Sequence, residues 1–127
     1  MVMDVIDQVY LQPFEWGRSD CCTRACDVFR ALHGVDPMAP LRGRYDGPVG
    51  AARLIRSFGG WSAMCSTLAA GAGLIKGAGG PGSALGLVQS GARDFALSVA
   101  VPDGWAVPID CGVVVVSDVK ISWGLNG

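Results

Sequence analysis

Five apolar segments follow one another in the last third of the chain with only a few residues between them, and that spacing restricts the fold more than any other feature. Residues 84–89, 94–101, 105–109, 112–117 and 119–124 are β-branched or alternating in character. Ser90-Gly91, Pro102-Asp103-Gly104, Asp110 to Gly112, and Asp118 separate them. Short apolar runs bounded by turn residues read as strands. Parallel neighbours need a crossover of about a dozen residues or more, which these spacers cannot supply. The expected sheet is therefore mostly antiparallel, of about five strands joined as hairpins.

Before Ser83 the pattern is helical. Val5, Ile6, Val9 and Tyr10 fall at helical spacing within residues 4–12, and Pro13 ends the run. Cys21 to His33 is the clearest helix: Ser19 or Asp20 is placed to cap its start, and Gly34 stands where a left-handed C-terminal cap belongs. Its apolar stripe is Cys22, Ala25, Cys26, Phe29 and Leu32, with Arg24, Asp27 and Arg30 largely off it. Residues 35–47 read as loop, broken by Pro37, Pro40, Gly43 and Gly47. A further helix is expected over Val49 to Phe58, ended by Gly59-Gly60. Another begins near Trp61 and buries Trp61, Met64, Cys65 and Leu68. Gly71 to Gly82 is too rich in glycine for an assignment. Helices first and strands afterwards is the α+β pattern. One domain over residues 1–127 is expected, helical with loops over 1–82 and sheet over 83–127.

Composition narrows the function classes. In 127 residues, half are hydrophobic and 17% are charged, which argues against disorder and for a real core. A net charge of −1 offers nucleic acid or an anionic membrane no electrostatic footprint. No apolar run approaches the ~20 residues of a membrane span. Met1 to Pro13 carries Asp4 and Asp7 without a basic segment leading into an apolar one, so no signal peptide is expected. Cys21, Cys22, Cys26, Cys65 and Cys111 are odd in number and lack a disulfide rhythm. In a reducing compartment they read as free, mostly buried thiols.

The chemistry-bearing stretch is Phe14-Glu15-Trp16-Gly17-Arg18-Ser19-Asp20-Cys21-Cys22, leading straight into a helix. A cysteine at a helix start faces unpaired N–H groups and the positive end of the dipole, which favours its thiolate. That is the preparation a nucleophilic cysteine needs. The plainer reading is two helix-start residues that pack.

The order aromatic, Trp-Gly, two residues, Asp-Cys, then an apolar helix resembles the nucleophile region of NlpC-type (papain-like) cysteine peptidases. There the cysteine after Asp attacks an amide, and a histidine on a later strand is its base. The chain is still more similar to small phage and prophage tail proteins related to that superfamily. It shares Pro13-Phe14, Trp16-Gly17, Asp20-Cys21-Cys22, Gly34, Asp36-Pro37, Arg42-Gly43, Tyr45 and a late Trp123. The resemblance spans most of residues 13–123 and is most specific in its first third. It implies a papain-like α+β fold with Cys21 at the nucleophile position. Trp16, Gly17, Asp20 and Cys22 form the flanking motif.

Two departures follow. Ser83 stands where such chains commonly have Asp after Pro-Gly, and no histidine stands near Phe95, Ala96 and Leu97, where the base is expected. The sole histidine, His33, lies twelve residues after Cys21, roughly 18 Å along one helix at ~1.5 Å per residue. A base must come within about 3 Å of the thiol or reach it through one water. His33 reads instead as an exposed or capping group in the last helical turn. Asp94, Asp103 or Asp110 near the thiol would discourage the thiolate. The expectation is a retained fold with peptidase activity lost.

Other motifs are set aside. Gly77 to Gly82 spells G-x-G-x-x-G, but a strand-like segment follows and Pro81 lies inside, so a flexible loop is the better account. Cys22 and Cys26 share a helix face with no CxxC pair, which favours core packing over a zinc or iron–sulfur site. Arg42, Arg44, Arg53 and Arg56, with Asp36 and Asp46 near, read as a solvated mixed face. No metal or cofactor is expected.

What the resemblance implies is a structural or assembly component of a phage or phage-like tail tip. It would act with other tail-tip proteins, in several copies per particle, in a virion assembled in a bacterial cytoplasm. The alternative is an active peptidase or amidase cutting peptidoglycan stem peptides during DNA delivery, with Cys21 as nucleophile and a base from a neighbouring subunit. A third reading is a cytosolic binding module unrelated to phage.

Overall fold

The computed structural model describes residues 2–11, 20–89, 95–109 and 112–125, with the side chain of Cys21 left out. Among the described residues, four helices precede most of the sheet: α1 (Val2–Tyr10), α2 (Cys21–His33), α3 (Pro48–Phe58) and α4 (Trp61–Gly71), with a short 3-10 turn at Ala39–Leu41. Six strands follow: β1 (Ile75–Lys76), β2 (Ala84–Gln89), β3 (Phe95–Val101), β4 (Gly104–Ile109), β5 (Gly112–Val116) and β6 (Ile121–Gly124). They form one sheet in the order β1-β6-β2-β3-β4-β5, every pair antiparallel. The α+β class and the antiparallel sheet stand as expected.

The details differ in three places. The sheet has six strands rather than about five, because Ile75 and Lys76 pair with Gly124 and Trp123. That edge strand lies inside the glycine-rich stretch for which the sequence offered no assignment. The first helix begins at Val2 rather than residue 4. The last strand begins at Ile121 rather than 119, because the preceding residues cross the sheet.

That crossing follows from chain length. Val116 pairs with Trp105 and, through Ala100, lies level with the start of β2, whereas Ile121 pairs with Leu87. In a flat sheet β5 and β6 would be about 19 Å apart across the strands and about 10 Å offset along them. Five residue steps reach about 17 Å at most. The sheet must therefore curl. The link passes over it at Gly86, where Val119 Cγ1 and Trp105 Cε3 lie 2.6 and 2.8 Å from the place a Cβ would take. Lys120 N–H donates to the Leu87 carbonyl at 2.8 Å to fix the return.

Alternation gives the sheet two unlike faces. Leu85, Leu87, Leu97, Val99, Val101, Ala106 and Trp123 belong to the main core with the helices. Opposite them stand the small residues Ala84, Gly86, Ser98 and Ala100, which are buried as well. Ser98 Oγ–H donates to the Gly86 carbonyl at 2.8 Å, satisfying a buried hydroxyl.

Helix α2 is the centre of the molecule. Ala25, Cys26, Val28 and Phe29 are inaccessible to solvent, and burying a side chain such as Phe29 contributes roughly 1.5–3 kcal/mol. Arg24, expected off the apolar stripe, is also buried, because the helix is covered on that side too. Its guanidinium donates to the Ile109 carbonyl at 2.6 Å, tying α2 to β4. From α1, Ile6 and Tyr10 are buried one helical turn apart, and the Tyr10 hydroxyl donates to the Ala106 carbonyl at 3.2 Å.

The glycine-rich segment is an ordered turn rather than a flexible loop. Gly77 N–H donates to Ser122 O at 2.9 Å, Gly82 N–H to Ala100 O at 2.7 Å, and Gly80 N–H to Ser83 Oγ at 2.9 Å. Gly79, at φ +86°, has the Ser83 carbonyl oxygen 2.2 Å from the site of a Cβ, so no side chain fits there.

Candidate functional site

The start of α2 is organised around Asp20. Its backbone is extended, its carboxylate accepts from Thr23 N–H at 2.9 Å, and Thr23 Oγ1 accepts from Asp20 N–H at 2.8 Å. This reciprocal capping box satisfies donors that a helix start leaves unpaired. The carboxylate is nearly inaccessible, and its Oδ2 accepts a short hydrogen bond from the Tyr45 hydroxyl. Of the two candidate caps, Asp20 performs the role; Ser19 lies outside the described residues. Trp16 and Gly17 lie outside them as well.

Cys21 is the first residue of α2. Cys22, its neighbour, is turned into the core and lines two small cavities. One, of about 20 Å³, it shares with Cys26, Cys65 and Leu97. The other, of about 90 Å³, it shares with Asp20, Tyr45 and Trp61. Cys22 thus packs, as the plainer reading holds.

His33 occupies the opposite end of the helix. Its Nε2 lies 2.5 Å from the Gly82 carbonyl oxygen, and its ring centroid is 4.8 Å from that of Phe29. It is exposed, and its polar contact ties the end of α2 to the turn before β2. On β3, where a base would be expected, Phe95 packs its ring 6.0 Å from that of Trp61, with Lys120 Nζ 5.3 Å from its centroid. Leu97, two residues on, faces the cavity beside Cys22. The structure brings Asp20 and Cys22 together with Tyr45 and keeps His33 away from them.

The family model for DUF6950, a domain of unknown function, matches residues 1–123. The chain belongs to the DUF6950 family. No curated protein and no solved structure matches it.

Behind the helix start, this DUF6950 chain carries a charge network. Arg42 Nε donates to Asp36 Oδ2 at 2.7 Å and its terminal nitrogen to Asp36 Oδ1 at 3.1 Å, a bidentate pair. The same terminal group forms an ion pair with Asp27 Oδ1 at 2.7 Å. Arg30 adds longer contacts of 3.7 Å to both carboxylates. Burial alone would lower the Arg42 pKa, but the hydrogen bond to Asp36, with the charges of Asp27 and Asp36, raises it. For Asp27 burial wins, and its pKa is raised despite Arg42 and Arg30. Arg42 and Asp36 therefore form the favourable pair, with Asp27 a strained third member. Arg42 is packed into this network rather than lying on a solvated face.

Cys26 sits beneath it. Burial first, and the Asp36 carboxylate second, push its thiol well above the ordinary range. An uncharged thiol in an apolar site is a poor nucleophile. Among the described residues, no group of three or more His, Cys, Asp or Glu side chains is arranged to hold a metal ion.

Sequence reasoning missed the roles of Arg24 and of Tyr45 toward Asp20. Tyr45 belongs to the Arg42-Gly43-x-Tyr45 pattern, so its position was signalled. What it bonds was not, since its partner lies 25 residues upstream.

Proposed function

We propose that this chain is a structural, non-catalytic tail-tip component of a phage or phage-like particle, built on a papain-like (NlpC-like) fold. The observation that carries the reading is a cysteine-first helix whose sole imidazole is engaged with the Gly82 carbonyl at its far end. The motif residues Trp16-Gly17 and Asp20-Cys21-Cys22 support the kinship, as does an antiparallel sheet packed across α2. Acyl transfer needs a base within hydrogen-bond reach of the nucleophile.

On this reading the fold serves as a packing unit among other tail-tip proteins, with several copies per particle and assembly in a bacterial cytoplasm. The test is mass spectrometry of purified particles from a lysogen encoding the chain, with a deletion strain alongside. The chain is expected in intact particles at a fixed ratio to tail proteins, with tail assembly failing in the deletion and restored by Cys21→Ala. Particles that lack the chain, or a Cys21→Ala strain that fails to complement, would overturn the proposal.

A further inference from the structure

The cavity between α2 and the α3–α4 pair has about 90 Å³ of space, in an interior where voids larger than a water molecule are few. Its walls are apolar: Cys22, Met38, Leu54, Ile55, Trp61 and Met64 contribute most of them. At one end stand the Asp20 carboxylate and the Tyr45 hydroxyl, already bonded to each other. A buried water needs two to four polar partners, and this lining offers few; an apolar cavity of about 150 Å³ takes up benzene or xenon instead.

The wall formed by α3 is the least firmly packed. None of its residues is fully buried, although Leu54, Ile55 and Phe58 turn toward the core. After α3 the chain passes through Gly59 and Gly60 at φ +98° and +119°, and Gly47 precedes it. Ala51, Leu54, Ile55 and Trp61 are only half-buried, so the cavity reaches the surface along this wall.

We infer that this cavity is a binding site for one small uncharged apolar group, the size of a benzene ring or a branched chain of four to six carbons. The inference rests on the cavity alone and stands whether or not the chain is a tail component.

Benzene is the probe, followed through the methyl resonances of ¹³C-methionine-labelled protein, with benzoate as the charged control. Met38 and Met64 line the site and are expected to shift saturably with benzene, while exposed Met3 does not and benzoate moves none of them. Ala51 also lines the cavity; Ala51→Leu adds three carbons there and is expected to weaken benzene binding at least tenfold. Leu54→Ala enlarges the site and is expected to keep binding, so the pair of variants remains informative if one folds poorly. No saturable shift of Met38 or Met64 up to the solubility of benzene, or equal binding in Ala51→Leu, would overturn the inference.

Discussion

The Tyr45 hydroxyl donates to Oδ2 of Asp20, joining the loop before α3 to the residue that caps α2. One carboxylate thus orders both a helix start and a distant loop. A hydrogen bond to a charged group contributes about 1.5–3 kcal/mol, so Tyr45→Phe is expected to lower stability by that amount in urea denaturation. Asp20→Ala also removes the cap, costing about 1 kcal/mol more. The double variant is expected to fall short of the sum, because both changes remove the same bond.

Gly86 is expected to be intolerant of any side chain. A Cβ there would stand 2.6 Å from Val119 and 2.8 Å from the Trp105 ring, at the point where the link between β5 and β6 crosses. Overpacking of this kind costs about 1–3 kcal/mol. Gly86→Ala should lose that much and alter Trp105 fluorescence. Gly80→Ala, with nothing within 4 Å of its Cβ, should stay within about 0.5 kcal/mol of the parent.

What could be read in advance divides along local and long-range lines. Helix α2 was legible because both of its ends carry their own signals: Asp20 caps the first turn, and Gly34, at φ 72°, closes the last. The strands Ala84–Gln89 and Gly112–Val116 were legible because turn residues bound them. The start of β6 was not, because Val119 and Lys120 continue its alternating pattern while serving the crossover above Gly86. Strand β1 is two exposed residues whose partners, Trp123 and Gly124, lie far along the chain. Arg24 was read as off the buried face because a helical wheel cannot show a second covering layer. The Asp20 and Cys22 positions were legible from motif order, but the Tyr45 contact depends on how the 35–47 loop folds back.

Asp27 makes a pH-dependent contribution of unusual sign. Its pKa is raised in the folded state above the ordinary 3.8, chiefly by burial, so the folded state holds the proton more readily than the unfolded one. The stabilisation is fully present below the unfolded value and is lost as pH rises through the folded one. Asp27→Asn should therefore gain stability relative to the parent as pH rises from about 4, and the difference should flatten once Asp27 is ionised in both states. Urea midpoints of the two proteins between about pH 3 and pH 7 provide the check.

The buried thiols should be inert until the fold opens. Cys22, Cys26 and Cys65 are buried, and the Cys26 thiol is pushed well above its usual range, first by burial and then by the Asp36 carboxylate. Iodoacetamide at about pH 8, where an ordinary thiol is partly ionised, should leave these three unmodified in the native protein. All five cysteines should react in denaturant. Peptide mapping distinguishes the sites. Rapid native labelling of Cys26 would show that α2 is not the closed centre described above.

The proposed function holds that a peptidase-like framework persists here without hydrolytic chemistry, and the most direct test is turnover of peptidoglycan stem peptides by the purified chain, with Cys21→Ala beside it. The account predicts no cleavage by either protein between pH 5 and pH 9 beyond the uncatalysed background. Turnover by the parent that disappears in Cys21→Ala would contradict it.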